Sequence, residues 1–299
     1  MTVLFPATID FRIIGRCNLR CPFCFGPRHD LRAMRLDDSL ELLDLMARYG
    51  VENVVVTGGE PCLISYLPTL LRHAKGLGLA VVLSTNGTVF EKRVDEIAPH
   101  LDWIGLPLDA PSHEINRLMR PGDDGQLDSI VRLLPRLRRD HPGVRIKLGT
   151  VVCKLNQTDV AGIPRVLGED RPDVWKLYQV IYSSYAVDNR DLVELTDAEF
   201  EQTVAAAAAA ADAWGVRLVL YRRCDRAGTY LFIEPDGDML VAQHAGERRV
   251  GNIFTDALPE LAQRWTAELE RGHLDYNVET TYPGLGTREW AVHLRPTRR

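Results

Sequence analysis

The sequence predicts an α/β fold, a partial (β/α)6 barrel of the TIM type followed by a C-terminal hairpin/helix extension. Three observations carry that prediction. From about residue 8 to residue 221, short β-rich apolar runs alternate with longer amphipathic stretches, the pattern of repeated βα units around a parallel sheet. Polar, often glycine-bearing segments follow these runs, where a parallel barrel keeps its working residues. After residue 221 the alternation gives way to a hairpin pattern.

The first strand, Ile9 to Ile14, sets Ile9, Phe11 and Ile13 on its inward face and runs directly into a cysteine-bearing loop. Asp38 or Ser39 is the expected cap of a helix whose apolar face includes Leu40, Leu43, Met46 and Ala47. Further strands are expected at Asn53 to Thr57, Leu79 to Thr85, Trp103 to Leu108, Arg145 to Val152 and Val174 to Ile181, which completes six units. A helix over Tyr66 to Leu77 brings Leu67, Leu70, Leu71, Ala74 and Leu77 to one face. Thr196 opens the sixth helix, whose alanine run Ala205 to Ala211 favours helix without any functional reading. A seventh short strand, Arg217 to Tyr221, reaches toward closing one side of the barrel. Beyond it, Tyr230 to Ile233 and Met239 to Val241 flank the turn Pro235-Asp236-Gly237-Asp238, and Leu258 to Leu269 reads as a helix. The tail containing Tyr282-Pro283-Gly284-Leu285-Gly286 is irregular, a lid or a surface strap. The expected division is a barrel over 1–221 and an extension over 222–299 that covers it.

Composition narrows the function classes. The chain has 299 residues, long enough for a large core, and 36 basic against 41 acidic side chains give a net charge of −5. That balance offers no general attraction to a nucleic acid polymer or an anionic membrane. No apolar run approaches the ~20 residues that cross a bilayer, and the first residues lack a signal-peptide pattern, so a cytoplasmic protein is expected. Six cysteines in a chain of this length are no disulfide framework.

The most specific chemical signal is Cys17-Asn-Leu-Arg-Cys21-Pro-Phe-Cys24. Three thiolates can hold three corners of a four-iron, four-sulfur cluster, leaving one iron open to chelate a small molecule and pass it an electron. The competing reading is a zinc knuckle, with His29 as the fourth ligand of a Cys3His site. Three later strand ends bear on the choice: Gly58-Gly59-Glu60-Pro61, then Ser84-Thr85-Asn86-Gly87, then Leu108-Asp109. Each also has a plain alternative, a tight glycine turn, an Asn-Gly turn and a helix cap respectively.

Taken in order, these four segments resemble the radical S-adenosylmethionine superfamily. The resemblance implies that Cys17, Cys21 and Cys24 bind one [4Fe-4S] cluster. It implies that Phe23, Gly58, Gly59, Glu60, Pro61, Ser84, Asn86 and Asp109 contact S-adenosylmethionine. It further implies reductive cleavage of that cosubstrate to a 5′-deoxyadenosyl radical, which removes a hydrogen atom from a small-molecule substrate, with a flavodoxin- or ferredoxin-like protein supplying the electron.

Substrate-side signals are Lys147 and Lys176, each within an apolar strand and therefore in need of solvent or an anionic partner. They suit a phosphate cradle, although strand periodicity allows a pore-facing or a helix-facing placement. Trp175-Lys176-Leu177-Tyr178-Gln179, together with Lys147 and Asn156, is similar to the viperin-like nucleotide dehydratases, which implies a nucleotide or nucleoside substrate contacted by Lys147, Lys176 and Tyr178. Val174 and Gly149 depart from that family, where an arginine and an asparagine stand, and this puts a triphosphate in doubt. Tyr178, Tyr182, Tyr185 and Tyr282 are candidate hydrogen or proton donors, and His244 a candidate acid/base group or structural histidine. Cys62 and Cys153 read as small buried residues, and only Cys224 lies near the place of an auxiliary cluster. A tailoring enzyme of a peptide or other natural product and a non-enzymatic zinc protein are the alternatives.

Overall fold

The computed structural model describes residues 5–122, 125–228, 230–244, 246–269 and Tyr282. Seven parallel strands follow one another in chain order: β1 (Thr8–Ile14), β2 (Asn53–Gly58), β3 (Ala80–Ser84), β4 (Trp103–Pro107), β5 (Arg145–Val152), β6 (Val174–Gln179) and β7 (Arg217–Tyr221). All seven were expected, with ends shifted by a few residues. Three more strands, β8 (Leu231–Ile233), β9 (Asp238–Gln243) and β10 (Gly246–Asn252), continue the same sheet beyond β1. The order is β10-β9-β8-β1-β2-β3-β4-β5-β6-β7, so the sheet is open, with β7 and β10 at its edges.

Alternation along each strand sends successive side chains to opposite faces, and here both faces are buried. Ile9, Phe11 and Ile13 of β1, Val54 and Val56 of β2, and Ile146 and Leu148 of β5 pack toward the helices. Helix Leu36–Arg48 meets them with Leu42, Leu43 and Met46, and helix Gln126–Asp140 with Ile130, Leu133, Leu134 and Leu137. The intervening positions point into the lumen. Val55, Val82, Trp103, Val174 and Val219 form a separate apolar floor there, joined by Tyr282. The inward face assigned to β1 from its pattern is thus the helix-facing one, and the opposite face, with Thr8, Asp10 and Arg12, lines the interior of the barrel.

Helix ends follow local chemistry. Thr196 and Glu199 form a reciprocal capping box on helix Asp197–Trp214, and Gly215 ends it in the left-handed region at φ 71°. The first helix begins before its expected caps: Asp37 and Asp38 lie in its first turn, where they meet the positive end of the helix dipole. Ser39 instead donates its hydroxyl to the Arg35 carbonyl at 2.8 Å. Strand β10 reads Gly-Glu-Arg-Arg-Val-Gly-Asn, too charged to show as a strand by hydrophobic pattern, yet suited to an edge.

A buried charge network fastens this added sheet to the barrel. Arg12, 2% exposed, donates to Glu234 at 2.5 Å just after β8 and to Glu247 of β10 at 2.5 and 2.9 Å. Arg226 also reaches Glu247, at 3.2 Å, and the Arg12 guanidinium lies 3.7 Å from the Phe232 ring centre. Removing one member of such a network strands the opposite charges without water. Arg12→Leu should therefore lower stability by ~3–5 kcal/mol in chemical denaturation, and a loss below about 1 kcal/mol would contradict this role for the network.

Candidate functional site

The loop after β1 carries Cys17, Cys21 and Cys24, and each sulfur has an N–H or N–H2 donor near it. The Leu19 amide points at Cys17 Sγ (3.4 Å), the Gly26 amide at Cys24 Sγ (3.4 Å), and Arg120 at Cys21 Sγ (3.1 Å). Asn86 Nδ2 is 3.8 Å from Cys17 Sγ. Donors around sulfur favour thiolates and tune a bound cluster, so the set fits an iron–sulfur group. Burial, chiefly, pushes all three thiols up, Cys21 to about 12, with Glu60 and Asp109 adding to the rise at Cys17 and Cys21 respectively, so metal binding here must displace protons. Among the described residues no three His, Cys, Asp or Glu side chains are grouped to hold a single metal ion. His29 packs its ring on Tyr185, with centres 4.6 Å apart. Arg28 is exposed and paired with Asp30, while Arg20 donates to the carbonyls of Cys17 and Leu19.

The end of β2 presses against this loop. Gly58 has φ 135°, and a Cβ there would lie 2.3 Å from the Ile14 carbonyl oxygen; one on Gly59 would lie 2.2 Å from that of Gly15. Only glycine permits this approach. The Gly59 amide donates to Ile14 O at 2.6 Å and the Glu60 amide to Arg16 O at 2.9 Å. Glu60 is fully buried and directed away from the cavity: its carboxylate accepts from the Cys62 amide (2.9 Å), the Thr85 hydroxyl (2.7 Å) and the Asn86 amide (2.7 Å). Burial raises its carboxyl despite these donors. Pro61, also buried, opens the short 3-10 turn Pro61–Leu63. Asn86 commits its side chain to Asn18, Thr88 and Cys17, so it braces the cysteine loop, and Ser84 faces the cavity.

Asp109, after β4, is fully buried; it accepts from the Val151 amide at 2.7 Å and pairs with Arg120. Arg120 thereby links the β4 end to Cys21, and its guanidinium stands 5.6 Å from the Phe23 ring centre. Phe23, Asp109 and Arg120 all line one cavity. Arg120 was not anticipated, since it sits beyond a short helix, His113–Met119, and carries no local signal.

That cavity, of about 310 Å³, runs from Cys21 and Cys24 past Gly58, Gly59 and Ser84 to Lys147 and Tyr178. Lys147 faces the lumen and donates to the hydroxyls of Tyr282 (2.7 Å) and Tyr178 (3.2 Å). Lys176 lies on the same face of the sheet but behind the tyrosines, fully buried, 5.0 and 4.8 Å from the ring centres of Tyr178 and Tyr221. Burial lowers its ammonium well below the usual lysine range. Gly149 matters through space: a Cβ there would stand 3.3 Å from the Tyr178 ring. Asp10 and Tyr230, both missed from sequence, line the cavity too. Burial pushes the Asp10 carboxyl up to about 7 against the pull of Lys147, Arg12 and Lys176. Tyr182 exchanges hydrogen bonds with the Leu195 backbone and Tyr185 accepts from the His29 amide, so both are structural. His244 is exposed after β9, Cys62 and Cys153 are buried, and Cys224 is exposed. No helix among the described residues is long and apolar enough to cross a membrane.

The family pattern described as Radical SAM superfamily matches residues 11–154. An S-adenosylmethionine-dependent nucleotide dehydratase of Flammeovirga pacifica is 25% identical over 95% of this chain and 96% of its own length. One from Lacinutrix mariniflava is 29% identical over 64% of this chain, a match that spans 42% of that longer protein. Among solved structures, Streptococcus suis SuiB bound to precursor peptide SuiA superposes with a TM-score of 0.69 at 16% identity, over 88% of this chain and 65% of that one, a likeness of fold. Residues 11–154 are thus a radical S-adenosylmethionine domain, the mark of enzymes whose cofactors are a [4Fe-4S] cluster and S-adenosylmethionine.

Proposed function

We propose that Cys17, Cys21 and Cys24 hold the cluster, that S-adenosylmethionine lies along the wall formed by the ends of β2, β3 and β4, and that a nucleotide or nucleoside fills the Lys147 end. The carrying observation is the single cavity that joins Cys21 and Cys24 to Lys147 and Tyr178. When bound, the cluster supplies the electron that splits S-adenosylmethionine into methionine and the 5′-deoxyadenosyl radical that takes a hydrogen atom from the substrate. The chain's own residues hold and orient. With the Gly59 and Glu60 amides committed to Ile14 and Arg16, the backbone carbonyls of Gly58 and Gly59 are the groups left to accept from the methionyl amino group. Arg120 is the cation next to Cys21 that suits the methionyl carboxylate, held in place by Asp109. Ser84 offers a hydroxyl to the ribose, and Phe23 an aromatic face to the adenine. Glu60 and Asn86 act by fixing these loops.

The nucleotide reading is supported by the dehydratase relative whose similarity runs the length of both chains, and by the lysine and tyrosines at the inner end of the cavity. We read residues 1–221 as the catalytic barrel and 222–299 as an extension over it, as Tyr282 at the cavity wall suggests; residues 270–281 and 283–299, including Pro283 to Gly286, lie outside the described residues. A flavodoxin- or ferredoxin-like donor in the cytoplasm is the matching electron source.

Two outcomes test this reading. Cys17→Ala, Cys21→Ala or Cys24→Ala should each abolish both the cluster absorbance and 5′-deoxyadenosine formation in anaerobically reconstituted protein; a variant that keeps wild-type turnover removes that cysteine from the ligand set. Across a panel of nucleosides and their phosphates, at least one should raise 5′-deoxyadenosine formation above the substrate-free rate. A flat response would remove the nucleotide assignment while leaving the cofactor site intact.

A further inference from the structure

The three cysteine sulfurs have unequal surroundings. Cys17 and Cys24 are met by the backbone amides of Leu19 and Gly26, each at 3.4 Å, and Cys17 also by the neutral side chain of Asn86 at 3.8 Å. Cys21 is the one whose donor, among the described residues, is a cation: Arg120 Nη1 stands 3.1 Å from its sulfur. The other arm of that guanidinium is held by Asp109, a fully buried carboxylate fixed in turn by the Val151 amide at 2.7 Å. Arg120 is itself 5% exposed, so water and salt screen its charge little. Of the other charged side chains, Arg12 acts on Cys24 and Glu60 on Cys17 through space, and Arg12 is neutralised by Glu234 and Glu247. Reduction of a cluster adds negative charge that its thiolate ligands share. A cation donating to one of those sulfurs stabilises the reduced form more than the oxidised one and raises the potential; a carboxylate behind it acts in the opposite sense.

We propose that Arg120 sets the reduction potential of the cluster through Cys21, and that Asp109 positions the guanidinium and offsets part of its charge. This role rests on Cys21 as a cluster ligand and is independent of the substrate. A redox titration of anaerobically reconstituted protein, followed by electron paramagnetic resonance without S-adenosylmethionine, tests it apart from any contact between Arg120 and the cosubstrate. Arg120→Met should lower the midpoint potential by at least about 59 mV, a tenfold shift in a one-electron equilibrium. Asp109→Asn keeps an oxygen for the Val151 amide while dropping the charge, and should raise the potential. Shifts of opposite sign are the signature of charge, because a loosened loop that merely admits water moves both variants the same way. Iron and sulfide contents equal to those of wild type show that the potentials belong to intact clusters. An unmoved potential in cluster-bearing Arg120→Met protein, or shifts of the same sign in both variants, overturns the proposal. If Arg120→Met holds no cluster, the sign of the Asp109→Asn shift decides; loss of the cluster from both variants makes the pair a structural prop of the loop and also overturns it. A wild type that binds no [4Fe-4S] cluster removes the cysteine assignment together with this role, whereas unmoved potentials in clustered variants remove this role alone.

Discussion

The site depends on one buried carboxylate. Glu60 leaves β2 on a backbone that only Gly58 and Gly59 allow, pressed against the start of the cysteine loop. From there its oxygens hold the Cys62 amide, the Thr85 hydroxyl and the Asn86 amide. Asn86 in turn reaches Cys17 and Asn18. The ends of three successive strands are thereby sewn into one rigid edge, and hydrogen bonds to a buried charge are among the stronger ones a protein makes. A radical enzyme needs that rigidity, because the order of groups along the cavity decides which hydrogen atom lies in reach.

The barrel has two interiors. The layer between sheet and helices is apolar and large, and it supplies the folding energy. The lumen is divided into an apolar floor of Val55, Val82, Trp103, Val174 and Val219, and a polar cavity above it. The floor supports Tyr282, which stacks edge-on with Trp103 at 5.4 Å between centres while its hydroxyl accepts from Lys147. The charged part of the wall is secured by the Arg12 network, so the three strands added beyond β1 complete the cavity as well as lengthen the sheet.

Much of this was legible in the sequence, for local reasons. The βα alternation located all seven parallel strands, and the cysteine spacing, the Gly58-Gly59-Glu60 turn and the Ser84 to Gly87 tip are each contiguous, so they can be read without contacts. Glu60 and Asn86 were singled out as cofactor contacts, and the structure gives their side chains bracing partners. What escaped depends on chain folding. Asp10 and Arg12 fell on the face that a strand with one buried side would expose to water, whereas a barrel strand turns that face into the lumen. Arg120 meets Cys21 from 99 residues away, and Glu234 and Glu247 meet Arg12 from more than 200. Strand β10, with Val250 as its one buried apolar side chain, is held by pairing with β9 and by Glu247 reaching Arg12 and Arg226.

On the proposed reading Cys17, Cys21 and Cys24 would hold three irons of the cluster and leave the fourth open to S-adenosylmethionine. Mössbauer spectroscopy of the iron-57 cluster, with and without S-adenosylmethionine, tests it most directly. One iron of four should show a distinct signal that shifts when S-adenosylmethionine is added, while the other three stay put. A cluster whose four irons all ignore the cosubstrate, or a protein that takes up one zinc and no iron, would contradict the account.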